Sequence, residues 1–328
     1  MPRRREAASF VAIDGDPSNE ASFTSLDWAL LLGAAFGWGA SFLFIEIGLD
    51  HFSPGAIAFL RLFFGAATLA LFPAARGEIQ KADLSLVALL GLVWMVGPFL
   101  LFPVAQQSID SSLAGMINAS APLSTAAIAA VAVRSLPTRW HALGLSVGLL
   151  GVVAISVPSV EGASGAGGVL LVSLATLLYG CAINLASPLQ RRNGALPVIW
   201  RAQLVALVAL APAGALGIAD SEFAWSSLLA VIVLGSVGTG AAFVCFTTLA
   251  GRVGATRSSV AAYFLPVVAV LLGAIFLDES IHPEALLGTA LVLAGAYLAS
   301  RAPQEHRRPV EGSVHVSGTS VTEVHESH

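Results

Sequence analysis

Ten long apolar runs dominate the chain, near residues 28–49, 54–75, 84–106, 113–133, 141–158, 167–187, 196–217, 226–250, 257–277 and 283–300. An α-helix needs about 20 apolar residues to cross the hydrocarbon core of a bilayer. In lipid every backbone N–H and C=O must be satisfied within the protein, so solid apolar runs of this length predict spanning helices. Only 11% of the residues are charged, against about 25% in a soluble domain. Together with a mean hydropathy of +0.82, this excludes an ordinary soluble globular fold. A net charge of −4 offers no surface for nucleic acid. The expected fold class is an all-α polytopic membrane protein with ten transmembrane helices.

The cationic side chains order these helices. Arg3, Arg4 and Arg5 precede the first run, and Arg301, Arg307 and Arg308 follow the last. Arg76 and Lys81, Arg134 and Arg139, Arg191 and Arg192, and Arg252 and Arg257 lie at every second connection. The intervening connections carry Asp50, Asp110, Glu161, Asp220, Glu222, Asp278, Glu279 and Glu284 and no Lys or Arg. With ten crossings, the positive-inside rule places the basic connections and both tails in the cytoplasm. The expected location is a plasma membrane, the inner membrane of a bacterium. The tails, 1–27 and 301–328, are polar and read as flexible segments. The N-terminal one has basic residues without the apolar stretch of a signal peptide.

The chain is also written twice. A shift of 144 places Gly91 on Gly235, Pro122 on Pro266, Gly144 on Gly288 and Gly151 on Gly295. At a slightly smaller shift Trp38–Gly39 meets Tyr179–Gly180, and Arg61 meets Arg201. The halves, 28–158 and 167–300, hold five runs each. Five is odd, so the second half must start on the opposite side: two inverted five-helix repeats, a plan of secondary transporters. The joins "AVRSLPTRWHALG" and "FLDESIHPEALLG" are then one connection on opposite faces, which accounts for their opposite charge. Pro98, Pro103, Pro122 and Pro266 are expected to be kinks inside spans.

Three stretches carry a family resemblance: "FGWGASFLFIEIGL" in the first run, "PGAIAFLRL" in the second, and "VGATRSSVAAYFLPVVAVLLGAIFLDESIHPEALLGTALVLAGAYL" near the end. The chain resembles the drug/metabolite transporter superfamily, EamA type, over about residues 28–300. The resemblance implies movement of small metabolites, often amino acids, through a central pocket between the halves. One position departs from it. The Glu that many such repeats place after this kind of span is Glu279 in the second half, but the aligned residue of the first half is Ser135. Whether Glu279 does more than keep its loop outside is left open.

Ionisable groups at membrane depth cost a few kcal/mol each unless paired, which makes them functional candidates. Glu46 lies roughly 6 Å and Arg61 roughly 10 Å from the same end, at 1.5 Å per residue. Arg61 would recognise a substrate carboxylate through its planar fork, or pair with Glu46, or reach the outer headgroups. Glu46 would load a coupling proton in a dehydrated cavity, or serve that same pair. Arg201 reads as reaching the cytoplasmic interface. Trp38, Ser41 and Glu46 share a helix face, an aromatic wall for an apolar or aromatic ligand or a packing surface. Asn118, Tyr179, Asn184 and Tyr263 are the other polar groups at depth. They either line the pocket or bond across helices.

Cys181 and Cys245 sit inside apolar runs and make neither a disulfide framework nor a metal pattern. His282, Glu279 and Glu284 could be drawn as a metal site. Pro283 and Glu284 instead suit the start of a helix, and capping of the last span is the preferred reading. No catalytic motif, metal site or cofactor motif is present, so an enzyme is not expected. The expected function is secondary transport of an amino acid or related metabolite, with export favoured, by alternating access around a pocket at the bilayer midplane. A passive channel or facilitator is the alternative. The expected partners are a small-molecule substrate and membrane lipid, and a homodimer is left open.

Overall fold

A computed structural model describes residues 23–133, 139–156 and 163–300. The described residues are mostly helical and contain no strand. The helices are α1 (Ser25–Gly39), α2 (Ser41–Leu49), α3 (Pro54–Ala70), α4 (Leu84–Gly91), α5 (Gly97–Gln106), α6 (Ser111–Asn118), α7 (Ala121–Val133), α8 (Arg139–Ser156), α9 (Ala163–Asn193), α10 (Ala195–Ala219), α11 (Trp225–Gly235), α12 (Ala242–Val253), α13 (Ala255–Ser258), α14 (Ala261–Phe276) and α15 (Pro283–Ser300). Six continuous segments are long and apolar enough to cross a membrane: Ser25–Leu49, Lys81–Gln106, Ser111–Ala132, Gly165–Asn193, Ala195–Ala219 and Trp225–Val253. Four shorter apolar helices, Pro54–Ala70, Ala142–Ser156, Ala261–Phe276 and Pro283–Leu298, accompany them.

Helix ends follow local chemistry. Thr24 and Asp27 form a capping box at the start of α1. Ser53 caps α3, with Pro54 at its first turn, and α15 starts at Pro283 with Glu284 in its first turn. These are the residue types that satisfy orphan N–H groups or suit the positive helix end.

Four of these segments are interrupted. The turn at Ala40 separates α1 from α2. π-helical turns at Leu92–Val96 and Ser236–Ala241 follow Gly91 and Gly235, the glycines that a shift of 144 superimposes. Pro122 is not a kink: the segment breaks at Ala119–Ser120, and Pro122 lies at the start of α7. Pro98 likewise stands at the start of α5, directly after a π turn, whereas Pro103 and Pro266 lie inside helices as expected. Proline fits a first helical turn because that N–H has no helical partner.

Ion pairs and hydrogen bonds tie helix ends and connections together at the end that carries the basic connections and at the end that carries the acidic ones. At the basic end Arg192 pairs with Asp83 at 2.7 Å, Arg252 pairs with Asp27 at 2.5 Å, and Asn193 Oδ1 accepts from the Gln80 N–H at 2.8 Å. At the acidic end the Glu222 N–H donates to His51 O at 2.9 Å, and Ser227 Oγ donates to Ile47 O at 2.9 Å.

α8 and α15 pack along one another on glycine. A Cβ on Gly151 would lie 2.6 Å from Gly288 O, and one on Gly295 would lie 2.6 Å from Gly144 O. The pairing is reciprocal: the residues that a shift of 144 equates meet each other crosswise. Small residues let membrane helices approach to backbone contact, which supplies the packing that lipid cannot drive.

Candidate functional site

The largest buried cluster holds Phe42, Phe102, Ile117 and Leu123. A second holds Met95, Phe99, Leu210 and Phe243. Both meet at α5, where Phe99, Phe102 and Gln106 recur at helical spacing on one face.

Arg61 lies at that junction and is 6% exposed. Its guanidinium carbon sits 3.9 Å from the centroid of the Phe99 ring. Its Nε donates to Thr239 Oγ1 at 2.9 Å, and Thr239 Oγ1 in turn donates to Leu234 O at 3.1 Å. The π turn presents Thr239 there. Gly235 supports the register, because a Cβ on it would lie 2.7 Å from Arg61 O. Tyr179 is an electrostatic neighbour of Arg61, with its ring 6.0 Å from that of Phe102. Neither terminal nitrogen of Arg61 has an acceptor among the described residues.

Glu46 takes a different partner. Gln106 Nε2 donates to Glu46 Oε2 at 3.0 Å and to Phe42 O at 2.9 Å. Gln106 Oε1 is buried and receives no hydrogen bond. The Glu46–Arg61 ion pair, one reading of the sequence, is therefore not formed. Each group is held by a neutral side chain from another helix, and the two charges stay apart.

The other candidates divide by position. Phe42, on the same helix as Glu46, stacks edge-on against Phe102 at 5.5 Å. Trp38 lies across the Ala40 turn and packs on Phe243 and Phe246, at 5.7 Å and 5.0 Å. Ser41 is buried and its hydroxyl donates to Gly37 O at 2.9 Å. Asn118 ends α6, 8% exposed, and its Oδ1 is buried without a donor. Tyr263 packs, half-buried, against the cluster of Phe42 and Phe102. Asn184 Nδ2 donates to Thr125 O at 3.0 Å and to Gly180 O at 2.8 Å, tying α9 to α7. Arg201 Nη1 donates to Ala75 O at 3.1 Å at the basic end. Of the two cysteines, Cys181 is exposed and Cys245 half-buried.

Phe99, Phe102, Gln106 and Thr239 are not candidates on sequence alone. Their one available signal is the spacing of the first three and the lone threonine between Gly238 and Gly240. A groove lined by Phe52, Ala56, Leu60, Ile218 and Phe223 lies at the acidic end and shares no residue with the Arg61 site.

Glu279, left without a role above, has one here. Its Oε1 accepts from the Ser111 N–H and its Oε2 from the Ser112 N–H, both at 2.9 Å. The carboxylate of the α14–α15 connection thus caps α6, whose own N-cap, Asp110, makes no side-chain cap bond. Burial pushes the Asp110 carboxyl above its usual range; the nearby Glu279 charge adds to this and His282 opposes it.

An all-helical bundle with this many long apolar segments defines a multi-pass membrane protein. The EamA-like transporter family matches residues 28–157 and again residues 166–301, and the chain belongs to that family. A probable terminal-alkyne amino-acid exporter of Streptantibioticus cattleyicolor is 27% identical, over 86% of this chain and 95% of its own length. A probable amino-acid metabolite efflux pump of Salmonella typhimurium is 26% identical, over 83% and 94%. The uncharacterized inner membrane transporter YedA of Escherichia coli is 27% identical, over 74% and 81%. One solved crystal structure shares the fold at a TM-score of 0.58 and 18% identity, covering 85% of this chain and 97% of the other. The protein is a membrane transporter.

Proposed function

We propose that this transporter exports an amino acid or a closely related carboxylate across the plasma membrane by alternating access. Ten crossings in two inverted five-helix repeats carry the motion, with both termini cytoplasmic. The observation that carries the substrate reading is Arg61: a buried guanidinium anchored through Nε, braced by Phe99, with neither terminal nitrogen given an acceptor by the described residues. A guanidinium fork matches a carboxylate in two parallel hydrogen bonds. An aromatic wall of Phe42, Phe102 and Tyr179 lies beside it for the rest of the ligand. Support for the repeats comes from the crosswise Gly144, Gly151, Gly288 and Gly295 contacts and from the two π turns at equivalent positions. Support for export comes from the names of two relatives.

The test is counterflow in proteoliposomes loaded with single amino acids. Saturable exchange that needs substrate on both sides supports the proposal. Non-saturating flux without counter-transport supports the passive facilitator instead. Glu46, beside the unsatisfied Gln106 carbonyl, is the proposed coupling residue.

A further inference from the structure

We propose that Glu279 is the latch of a gate at the acidic end of the transporter, an inference that rests on the alternating-access reading. Two observations make the contact more than a loop fixture. It bridges residues 168 positions apart, tying the connection after α14 to the first turn of α6. It also closes two helices that touch at this end and take different partners at the other. Gly115 of α6 packs on Ala269 of α14 and on Phe42. Beyond the Ala119–Ser120 break, α7 turns to α9 through Thr125 and Asn184. The first turns of α14 instead pack on α1, around Leu31, Ala35 and Ala261.

The backbone is shaped to deliver the carboxylate. Asp278, just before it, adopts φ 52°, a left-handed conformation that a non-glycine residue visits at a cost. Gly273 leaves the space behind it, because a Cβ there would collide with Glu279 Oε2. A charge-assisted pair of hydrogen bonds at the positive end of a helix is strong when made. It is also localised in one side chain, so it can be released as a unit. Opening this end requires α6 and α14 to part, and the two Glu279 bonds must break for that to happen. The aligned residue of the first half is Ser135, so the first half has no carboxylate at that position.

Spin labels report the opening. The full-length protein carrying Cys181→Ala and Cys245→Ala is labelled at Gln107→Cys and Ser280→Cys, two exposed positions beside the latch. It is measured in nanodiscs by double electron–electron resonance. Glu279→Gln weakens the acceptor. Ser111→Pro removes one donor and leaves the carboxylate, and proline is tolerated at the first position of a helix. The expected result is a longer-distance population that grows at least threefold in both variants. If the background protein shows two populations and neither variant changes their ratio, the latch is refuted. A lowered melting midpoint with unchanged distances likewise marks Glu279 as a cap alone. A single distance in every protein, with and without a substrate found by counterflow, refutes alternating access at this end and the latch with it.

Discussion

Arg61 Nε and Thr239 Oγ1 lie 2.9 Å apart across 178 positions of sequence. This one bond occupies Nε and leaves Nη1 and Nη2, the end-on pair of the fork, without an acceptor among the described residues. It also occupies the threonine, whose hydroxyl donates its hydrogen bond to Leu234 O and has no further donor to offer. The pair is thus a mounting for a charge.

Arg61→Lys keeps the charge but loses the fork and the aromatic brace. Counterflow of the preferred amino acid is expected to fall at least tenfold through KM, with the melting midpoint little changed. Thr239→Val is expected to weaken KM in the same direction by a smaller factor. An unchanged KM in Arg61→Lys would remove the guanidinium from substrate recognition.

Glu46→Gln is expected to abolish the response of transport to a pH gradient while leaving substrate exchange intact. The measurement is uptake into proteoliposomes with and without an imposed gradient. Undiminished gradient-driven transport would end the coupling role and leave Glu46 as a polar contact of Gln106.

Gly151→Ala and Gly288→Ala place a methyl group against backbone, at 2.6 Å and 2.7 Å from the facing carbonyl oxygens. Each is expected to destabilise the protein by about 1–3 kcal/mol, the range of overpacked cores. Gly251, on α12, has open space around it. Gly251→Ala is expected to be neutral or to stabilise by about 0.5–1 kcal/mol through helix propensity. Thermal unfolding in detergent separates the two outcomes.

Asp110 carries a raised pKa, caused first by burial and then by Glu279. A carboxyl whose pKa is higher folded than unfolded adds stability below the unfolded value, about 3.9. It loses that contribution as pH rises through the folded value. As the pH rises above about 4, the melting midpoint of the wild type is therefore expected to fall relative to Asp110→Asn. A gap between the two proteins that does not change with pH would contradict this.

Much of the architecture is legible in the sequence because lipid imposes hard rules. Apolar length sets where helices lie, and the helices found begin and end close to the runs. Pro283 and Glu284 start α15 as their chemistry demands. The kink assigned to Pro122 fails because the same residue is equally at home in a first helical turn, and only the break at Ala119–Ser120 selects that role. Arg61 stands out in sequence as a charge at depth. Its setting does not, since Phe99 and Thr239 look like ordinary residues of an apolar helix.

By itself, then, the sequence determined a helical membrane protein and where its apolar helices lie, because period and apolar length are local properties. Tertiary structure decided which polar groups meet. Glu46 turned to Gln106 rather than to Arg61, and Glu279 found the amides of Ser111 and Ser112. Those choices depend on close helix approach and on turns that break regular helix. A buried hydrogen bond is settled by distances of tenths of an ångström between residues far apart in the chain, and no local pattern records them.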